Sequence, residues 1–554
     1  MSRKVTDNAV VTRAVEPSTV VTGATDVSTN LPATGAAADN RQGGPRHVRT
    51  IIIGSGFAGL GLAIRLKQQG RSDYLVLERG HDVGGTWRDN TYPGAACDVP
   101  SHLYSYSFAP NPNWSRSFSR QGEIQAYIRS VAEKYEVLDR HLFGCDVTGA
   151  RWNAQTARWE ISSNKGEFTA DILVSAVGAL CEPNLPDIKG INDFAGEIFH
   201  SARWNHEADL TGKRVAVIGT GASAIQIVPA IAGKVAHLDV YQRTAPWLLP
   251  RMDRPYTLPE RLAFKHIPGV QKLSRAAIYA ARETQVVGLA KFPALMQGFQ
   301  LLSKAKLRME IRDPELRRKA TPDYRIGCKR MLISNDYYPA LDRPNVDLIT
   351  DGIAEIRPNS IVTKDGTERE IDALIVATGF HVTDSPTYET IVGKDGRTLS
   401  EVFDDIGQQG YKGSAIANFP NMFFLLGPNV GLGHTSMVYM IESQINYIAD
   451  ALATIDRRQL RTVEVRREAQ DAYNRELQAK LSASVWNTGG CASWYLDKHG
   501  NNTTLWPDFT FRFRSLTKRF DVAAYDTTTD AATETEATEG SAAEPVAVPA
   551  EPKV

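Results

Sequence analysis

The chain has 554 residues, enough for two or three domains with separate cores. Lysine plus arginine and aspartate plus glutamate each number 63, so the formal net charge is zero and neither nucleic acid nor a membrane surface is favoured as a partner. No apolar run approaches the ~18–20 residues of a membrane helix, and the N-terminus lacks the apolar stretch of a secretory signal, so cytoplasmic residence is expected.

Residues 1–47 are rich in Thr, Val, Ala, Asn and Asp without a sustained period and read as a disordered tail. Order is expected from the strand VRTIIIG, which ends at Gly54. A helix through Leu66 and a second strand, YLVLE, closing at Glu78, complete a βαβ unit. The same design returns at KRVAVIG near Lys213, with a helix through Ile231 and the strand LDVYQR ending at Arg243. From about 255 to 319 a helical period rich in Arg, Lys, Ala and Leu interrupts this second unit. A buried strand, ALIVATG from Ala373 to Gly379, follows Asp372 and mirrors DILVSAVG from Asp171 to Gly178. The segment FPNMFFLLGPNVGLGHTS precedes a helix from about Met437 to Ile455, which returns the chain to the first unit. Residues 525–554 are small, acidic and Pro-containing, a second disordered tail by composition. Cys97, Cys145, Cys181, Cys328 and Cys491 are far apart, odd in number and form no C-x-x-C, so five buried thiols are expected, with neither a disulfide framework nor a zinc site. The histidines are scattered, His434 stands alone, and no metal constellation is expected.

Two glycine loops carry the first chemistry. Gly54-Ser55-Gly56-Phe57-Ala58-Gly59 follows a strand and opens a helix, the context in which a pyrophosphate sits on a helix N-terminus. Gly54 permits the tight turn, Gly56 the close approach of the phosphates, and Gly59 close helix–strand packing. Glu78, 24 residues beyond Gly54, is placed to accept hydrogen bonds from a ribose. The second loop is Gly219-Thr220-Gly221-Ala222-Ser223-Ala224, with Ala in the third glycine position and Gln226 one turn into the helix. Its residue equivalent to Glu78, again 24 on, is Arg243, followed by Thr244. A carboxylate there repels a 2′-phosphate and a guanidinium binds it, so the second unit should prefer NADPH. Two dinucleotides on one chain imply electron transfer between them, and FAD with NADPH is the economical pairing. The expected fold is α/β, with two Rossmann-like dinucleotide-binding domains and a helical insertion. Residues 48–185 and 371–524 would form a discontinuous FAD domain. Residues 186–370 would form the NADP domain, carrying the insertion at about 255–319.

The stretch Phe194-Ala195-Gly196-Glu197-Ile198-Phe199-His200-Ser201-Ala202-Arg203-Trp204-Asn205 resembles the type I Baeyer–Villiger monooxygenase fingerprint, F-x-G-x-x-x-H-x-x-x-W followed by Pro or Asp. Asn205 departs from it. A second pattern of that family, G-G-x-W-x-x-x-x-Y-P-G-x-x-x-D, runs without a gap from Gly84 through Trp87, Tyr92, Pro93 and Gly94 to Asp98. The order of parts is similar from about residue 48 to 520. The resemblance implies NADPH- and O2-dependent oxidation of a ketone to an ester or lactone through a C4a-peroxyflavin. NADP+ would stay bound throughout.

The resemblance also implies roles. Arg330, beside Lys329, falls at the active-site arginine that stabilises negative charge near the flavin. Asp98 falls at the carboxylate that orients it, and Lys329 near the 2′-phosphate. Gly85, Thr86, Trp87, Tyr104 and Val147 fall at flavin-contacting positions. Thr220, Ala222, Ser223, Ala224, Gln226 and Thr244 fall on the nicotinamide nucleotide. Trp494 resembles a mobile-loop tryptophan that touches NADP+, with Gly489, Gly490 and Gly500 as hinges. Phe194, Gly196, His200 and Trp204 form the fingerprint, His200 coupling domain motion rather than serving as a base. The partners expected are a small ketone and O2, with a monomer or weak homodimer as the assembly. Two rival readings remain open: an N- or S-oxygenating flavin monooxygenase, and a non-catalytic NADPH-binding redox sensor.

Overall fold

The computed structural model of the protein describes residues 44–491, 493–497 and 499–529, and one compact unit begins at Pro45. Strand β1 (Arg46–Ile53) turns through Gly54 into α1 (Phe57–Gln68), and β2 (Tyr74–Glu78) follows. β1 and β2 pair in parallel with Thr50 opposite Tyr74, and α1 is the crossover that parallel pairing demands. Then come α2 (Thr86–Asp89), α3 (Gln121–Lys134), β3 (His141–Phe143), β4 (Val147–Asn153), β5 (Arg158–Ser163) and β6 (Gly166–Ser175). The second unit opens with β7 (Glu197–His200), β8 (Arg214–Ile218), α4 (Ala224–Ile231) and β9 (His237–Tyr241). β10 (Leu248–Leu249) leads into the insertion, α5 (Leu258–His266), α6 (Val270–Glu283), α7 (Met296–Glu310) and α8 (Pro314–Lys319). The chain returns through β11 (Leu332–Ile333), β12 (Val346–Ile349), the ribbon β13 (Ile353–Arg357), β14 (Ser360–Thr363) and β15 (Glu368–Glu370), and β16 (Ala373–Val376). β17 (Ile391–Val392), β18 (Met422–Phe424), β19 (Leu460–Val465) and β20 (Tyr525–Thr529) complete the strands, with the long helix Met437–Arg458 between β18 and β19.

One sheet has the order β17-β4-β5-β6-β1-β2-β3, with β18 beside β6. The other has the order β12-β9-β8-β16-β7. Both are covered on two faces, so their central strands are unbroken apolar runs rather than alternating ones. On one face of the first sheet Ile52 and Val174 pack with Leu62, Ile128, Ile445 and Ile448. On the other, Ile51 and Leu173 pack with Trp159, Ile161 and Phe419. In the second sheet Val215, Val217 and Ile375 bury the apolar face of α4 through Ile227, Val228 and Ile231. No helix among the described residues is long and apolar enough to cross a membrane.

The structure differs from the sequence reading in four places. β16 pairs with β8 and β7, so the second sheet runs past residue 370, where the sequence placed its end. β16 and the far half of β6 are both short buried runs after an aspartate, and pattern alone does not say which sheet each one joins. Arg46 and His47 already belong to β1, two residues inside the expected first tail; residues 1–43 lie outside the described ones. Tyr525–Thr529, assigned to the second tail, pairs antiparallel with β19 and buries Tyr525 against Phe520 and Tyr447. Its threonines are β-branched and suit a strand, a preference that composition alone hides; residues 530–554 lie outside the described ones. Finally, Cys328 and Cys491 form a disulfide across 163 residues of chain, against the expectation of five free thiols, while Cys97, Cys145 and Cys181 are free.

Candidate active site

Both glycine loops open onto one cleft of about 1520 Å³. At Gly54 φ is +99°, and a Cβ would lie 2.6 Å from the Ala176 carbonyl oxygen, so the turn between β1 and α1 admits only glycine. Gly59 packs directly on the Gly54 carbonyl, and Gly219 in the second loop on that of Ala377. Gly56 and Gly221 face free space: a Cβ on the first would meet only the Gly85 Cα at 3.8 Å, and one on the second nothing within 4 Å. That is the cradle a pyrophosphate needs at the N-termini of α1 and α4.

Glu78 is 4% exposed at the end of β2. Its carboxylate accepts from the Ser55 N–H at 2.8 Å, the Gly80 N–H at 2.7 Å and Arg88 Nη1 at 2.7 Å. It therefore ties the first loop to the strand end while remaining on the cleft wall. Thr86 and Trp87 stand on α2 beside Gly85, and Trp87 Nε1 donates to the Tyr104 hydroxyl at 2.9 Å. Burial pushes the Tyr104 hydroxyl well above its ordinary range, so it stays protonated. Val147 joins these residues on the wall.

In the second unit, the Thr220 hydroxyl donates to the Thr244 carbonyl at 3.0 Å. Ala224 is fully buried, so the third position of the loop packs and does not face the cleft, whereas Ala222 and Ser223 line it. Arg243 is exposed at the end of β9, with Lys329 beside it. Burial and then the Arg243 charge hold the Lys329 amine below the usual lysine range. Gln226 joins the halves of the cleft: its Oε1 accepts from the Tyr92 hydroxyl at 3.0 Å and the Ala96 N–H at 3.3 Å, and its Nε2 donates to the Ala96 carbonyl at 3.0 Å.

Arg330 lies just before β11, which pairs in parallel with β10, and it meets the first unit at Asp98. Its Nε and Nη2 donate to Asp98 Oδ2 at 2.8 and 2.7 Å, and Nη1 reaches the Leu432 carbonyl at 3.3 Å. The pair keeps 38% and 31% of its side-chain surface open to the cleft. Burial works against the Asp98 carboxylate, but the Arg330 charge and hydrogen bonds outweigh it and hold the group below the usual carboxylate range. Asp98 in turn raises the Arg330 guanidinium above its already high value. The result is a fixed cation on the wall of the cleft.

Sequence reasoning missed several neighbours of this pair. Arg282 on α6 feels the Asp98 charge, and burial is the first reason its own value falls. Arg251 Nη2 donates to the Cys97 carbonyl at 2.9 Å. Tyr495 is 2% exposed and lies against Arg330. The hydroxyls of Thr435, Thr503 and Thr504 line the cleft without a hydrogen-bond partner among the described residues. None of these follows a motif, and each arrives from a distant part of the chain. Trp494, 50% exposed, is on the cleft wall.

The fingerprint occupies the edge of the second sheet, off the cleft wall. Phe194 is buried with Ile218 and Val376, Gly196 packs on the Asp372 carbonyl, and Trp204 meets Phe199 edge-on at 4.9 Å. His200 ends β7, opposite Val376, and its ring meets Phe380 at 5.7 Å. Burial pushes its imidazole down to about 4, so it is neutral near pH 7. Asn205 donates to Glu197 at 3.2 Å and accepts from the Glu207 N–H at 3.0 Å, closing the turn that follows. Among the described residues the structure also assembles one acid–histidine group of three, His237, Asp239 and Asp347, whose last member is distant in sequence. Arg369 Nη1 sits 3.1 and 2.8 Å from the two carboxylates there, so a guanidinium already supplies their counter-charge.

Two nucleotide-binding sheets opening onto one cleft define a class of protein that holds two dinucleotides within electron-transfer reach of each other. Residues 51–262 match the pyridine nucleotide-disulphide oxidoreductase family. A Baeyer-Villiger monooxygenase of Streptomyces coelicolor is 50% identical over 480 residues, covering 86% of this chain and 92% of that protein. One from Pseudomonas aeruginosa is 50% identical over 486 residues, covering 87% and 92%. Among solved structures, cyclohexanone monooxygenase from Rhodococcus sp. Phi1 bound to NADP+ has a TM-score of 0.79 at 28% identity, covering 88% of this chain and 100% of that one. The chain belongs to the Baeyer–Villiger monooxygenase family.

Proposed function

We propose that this protein oxidises a small ketone to an ester or lactone, with FAD in the first nucleotide site, NADPH in the second, and O2 as the oxidant. The balance is ketone, NADPH, a proton and O2 giving ester, NADP+ and water. When bound, FAD supplies the two-electron relay from NADPH and the activation of O2. The remaining tasks fall to the chain. Gly56 and Gly221 leave room for the two pyrophosphates, and Glu78 fixes the first loop. Arg243 and Lys329 read the 2′-phosphate. Trp87 and Tyr104 wall the flavin side of the cleft. Arg330, held by Asp98, stabilises negative charge as it develops on oxygen and on the carbonyl adduct. The division into a discontinuous FAD domain, a NADP domain and a helical insertion is part of this reading. So is a monomer or weak homodimer acting in the cytoplasm, since one chain carries every group invoked.

The observation that carries the proposal is the Asp98–Arg330 pair in the one cleft that both loops face. The test is turnover of a panel of cyclic, linear and aryl ketones with NADPH and ¹⁸O2. One labelled oxygen is expected at the ester position, with none from labelled water. Arg330→Ala is expected to keep consuming NADPH, to release hydrogen peroxide and to lose ester formation by a factor of roughly 10²–10³. Normal ester yield from that variant removes Arg330 from the reaction. Oxidation of amines or sulfides with ketones ignored favours an N- or S-oxygenase, and no ketone-stimulated NADPH consumption at all favours a redox sensor.

A further inference from the structure

The disulfide joins the segment that carries Lys329 and Arg330, both used in the proposed function, to the segment that carries Trp494. Cys328 immediately precedes Lys329 and Arg330, and Cys491 lies three residues before Trp494. Cys328 is 1% exposed and packed among Trp247, Leu289, Val485 and Trp486, a fixed anchor; Cys491 is half-buried on the loop. The two segments are fitted closely at one further point. A Cβ on Gly489 would lie 2.5 Å from the Cys328 Cβ, and the Gly489 carbonyl accepts from the Arg325 N–H at 3.1 Å. Beyond Cys491 the loop places Tyr495 against Arg330 and Trp494 on the cleft wall. Three residues reach at most about 10 Å, so a chain anchored at Cys491 cannot carry Trp494 far from the cleft.

We propose that Cys328 and Cys491 are positioning residues for nucleotide retention: their bond holds the Trp494 loop beside Lys329 and Arg330, and its reduction frees the loop and loosens NADP+. This rests on the reading of the second site as an NADPH site. The step is thiol–disulfide exchange with a dithiol. A reagent thiolate attacks Cys491 Sγ, the more accessible sulfur, and the S–S bond breaks. Cys328 leaves as thiolate and takes a proton. The second reagent thiol then resolves the mixed disulfide. Two electrons enter the bridge, two cysteine thiols result, and the reagent leaves as its own disulfide.

The test uses the full-length, FAD-loaded protein before and after dithiothreitol, with alkylation and mass spectrometry to count bridged and free Cys328 and Cys491. NADP+ affinity is read from its perturbation of the flavin spectrum, and loop mobility from hydrogen exchange over residues 485–500, both independent of ketone turnover. Reduction is expected to weaken NADP+ binding about tenfold and to speed exchange in the loop. Cys491→Ser should behave as the reduced protein whether or not dithiothreitol is present, and diamide should restore only the wild type. Should that variant fail to fold, the wild-type pair of measurements decides. Free thiols at both positions in air-purified protein overturn the proposal, as does unchanged NADP+ affinity after complete reduction. A flavin spectrum that NADP+ perturbs in neither form removes the NADPH reading itself, and this proposal with it.

Discussion

Arg243 and Lys329 stand together at the rim of the second site, although cations repel and burial already disfavours the lysine charge. A dianionic phosphate between them relieves both costs, which is why the pair supports NADPH rather than NADH. Arg243→Ala is expected to lower the ratio of kcat/KM for NADPH over NADH by about one to two powers of ten, the worth of a charge-assisted contact. Steady-state kinetics with both nucleotides checks it, and an unchanged ratio makes Lys329 the main reader. Arg243 was legible in the sequence because a βαβ unit fixes the offset from loop to strand end, and Glu78 at the same offset gave the comparison. Arg330 was legible only through family resemblance, since a lone Lys-Arg pair is ordinary surface chemistry. Arg282, Tyr495 and the disulfide were not legible, because each depends on which distant segments meet.

At the scale of elements, the two units are joined where the segment from Tyr92 to Ala96 lies along α4. Gly94 has φ +86°, and a Cβ there would lie 2.5 Å from the Gln226 carbonyl oxygen. Gly94→Val therefore combines backbone strain with a clash against the helix that opens the second site, a cost of roughly 1–3 kcal/mol. The expected outcome is a lower melting temperature and a raised KM for NADPH, with FAD still bound. Loss of FAD with NADPH affinity intact contradicts the assignment of α4 to the nucleotide. The strand–helix–strand units and the helical insertion were legible because their periods are sustained over ten residues or more. The two-residue strands β10 and β11, the second beginning two residues after Arg330, carry no period at all, and β20 hides among threonines and acids.

At the scale of the whole molecule, two buried imidazoles set a pH limit. Burial holds His200 and His102 down to about 4, with the charges of Arg203 and Arg275 adding to it. Their folded values lie below the unfolded value of about 6.5, so the neutral rings cost nothing above that pH. As pH falls from 6.5 toward 4 the unfolded chain takes up protons that the folded one refuses, and up to about 3 kcal/mol per ring is lost. Melting temperatures at pH 7.0, 5.5 and 4.5 should fall in that order, and a flat profile contradicts the burial of both rings. The chain's threading has a consequence in time. β6 meets β5 through residues 166–170, but its far half, Leu173 to Ser175, pairs with β18 at Met422 to Phe424. Roughly 250 residues must be translated before that edge closes, which at about 5–20 residues per second takes on the order of 10–50 s. During that interval the nascent chain holds an apolar strand edge with no partner, while the entire second sheet is being made and folded. For that whole interval the edge is open to pairing with another chain, the hazard that an unpaired apolar strand carries.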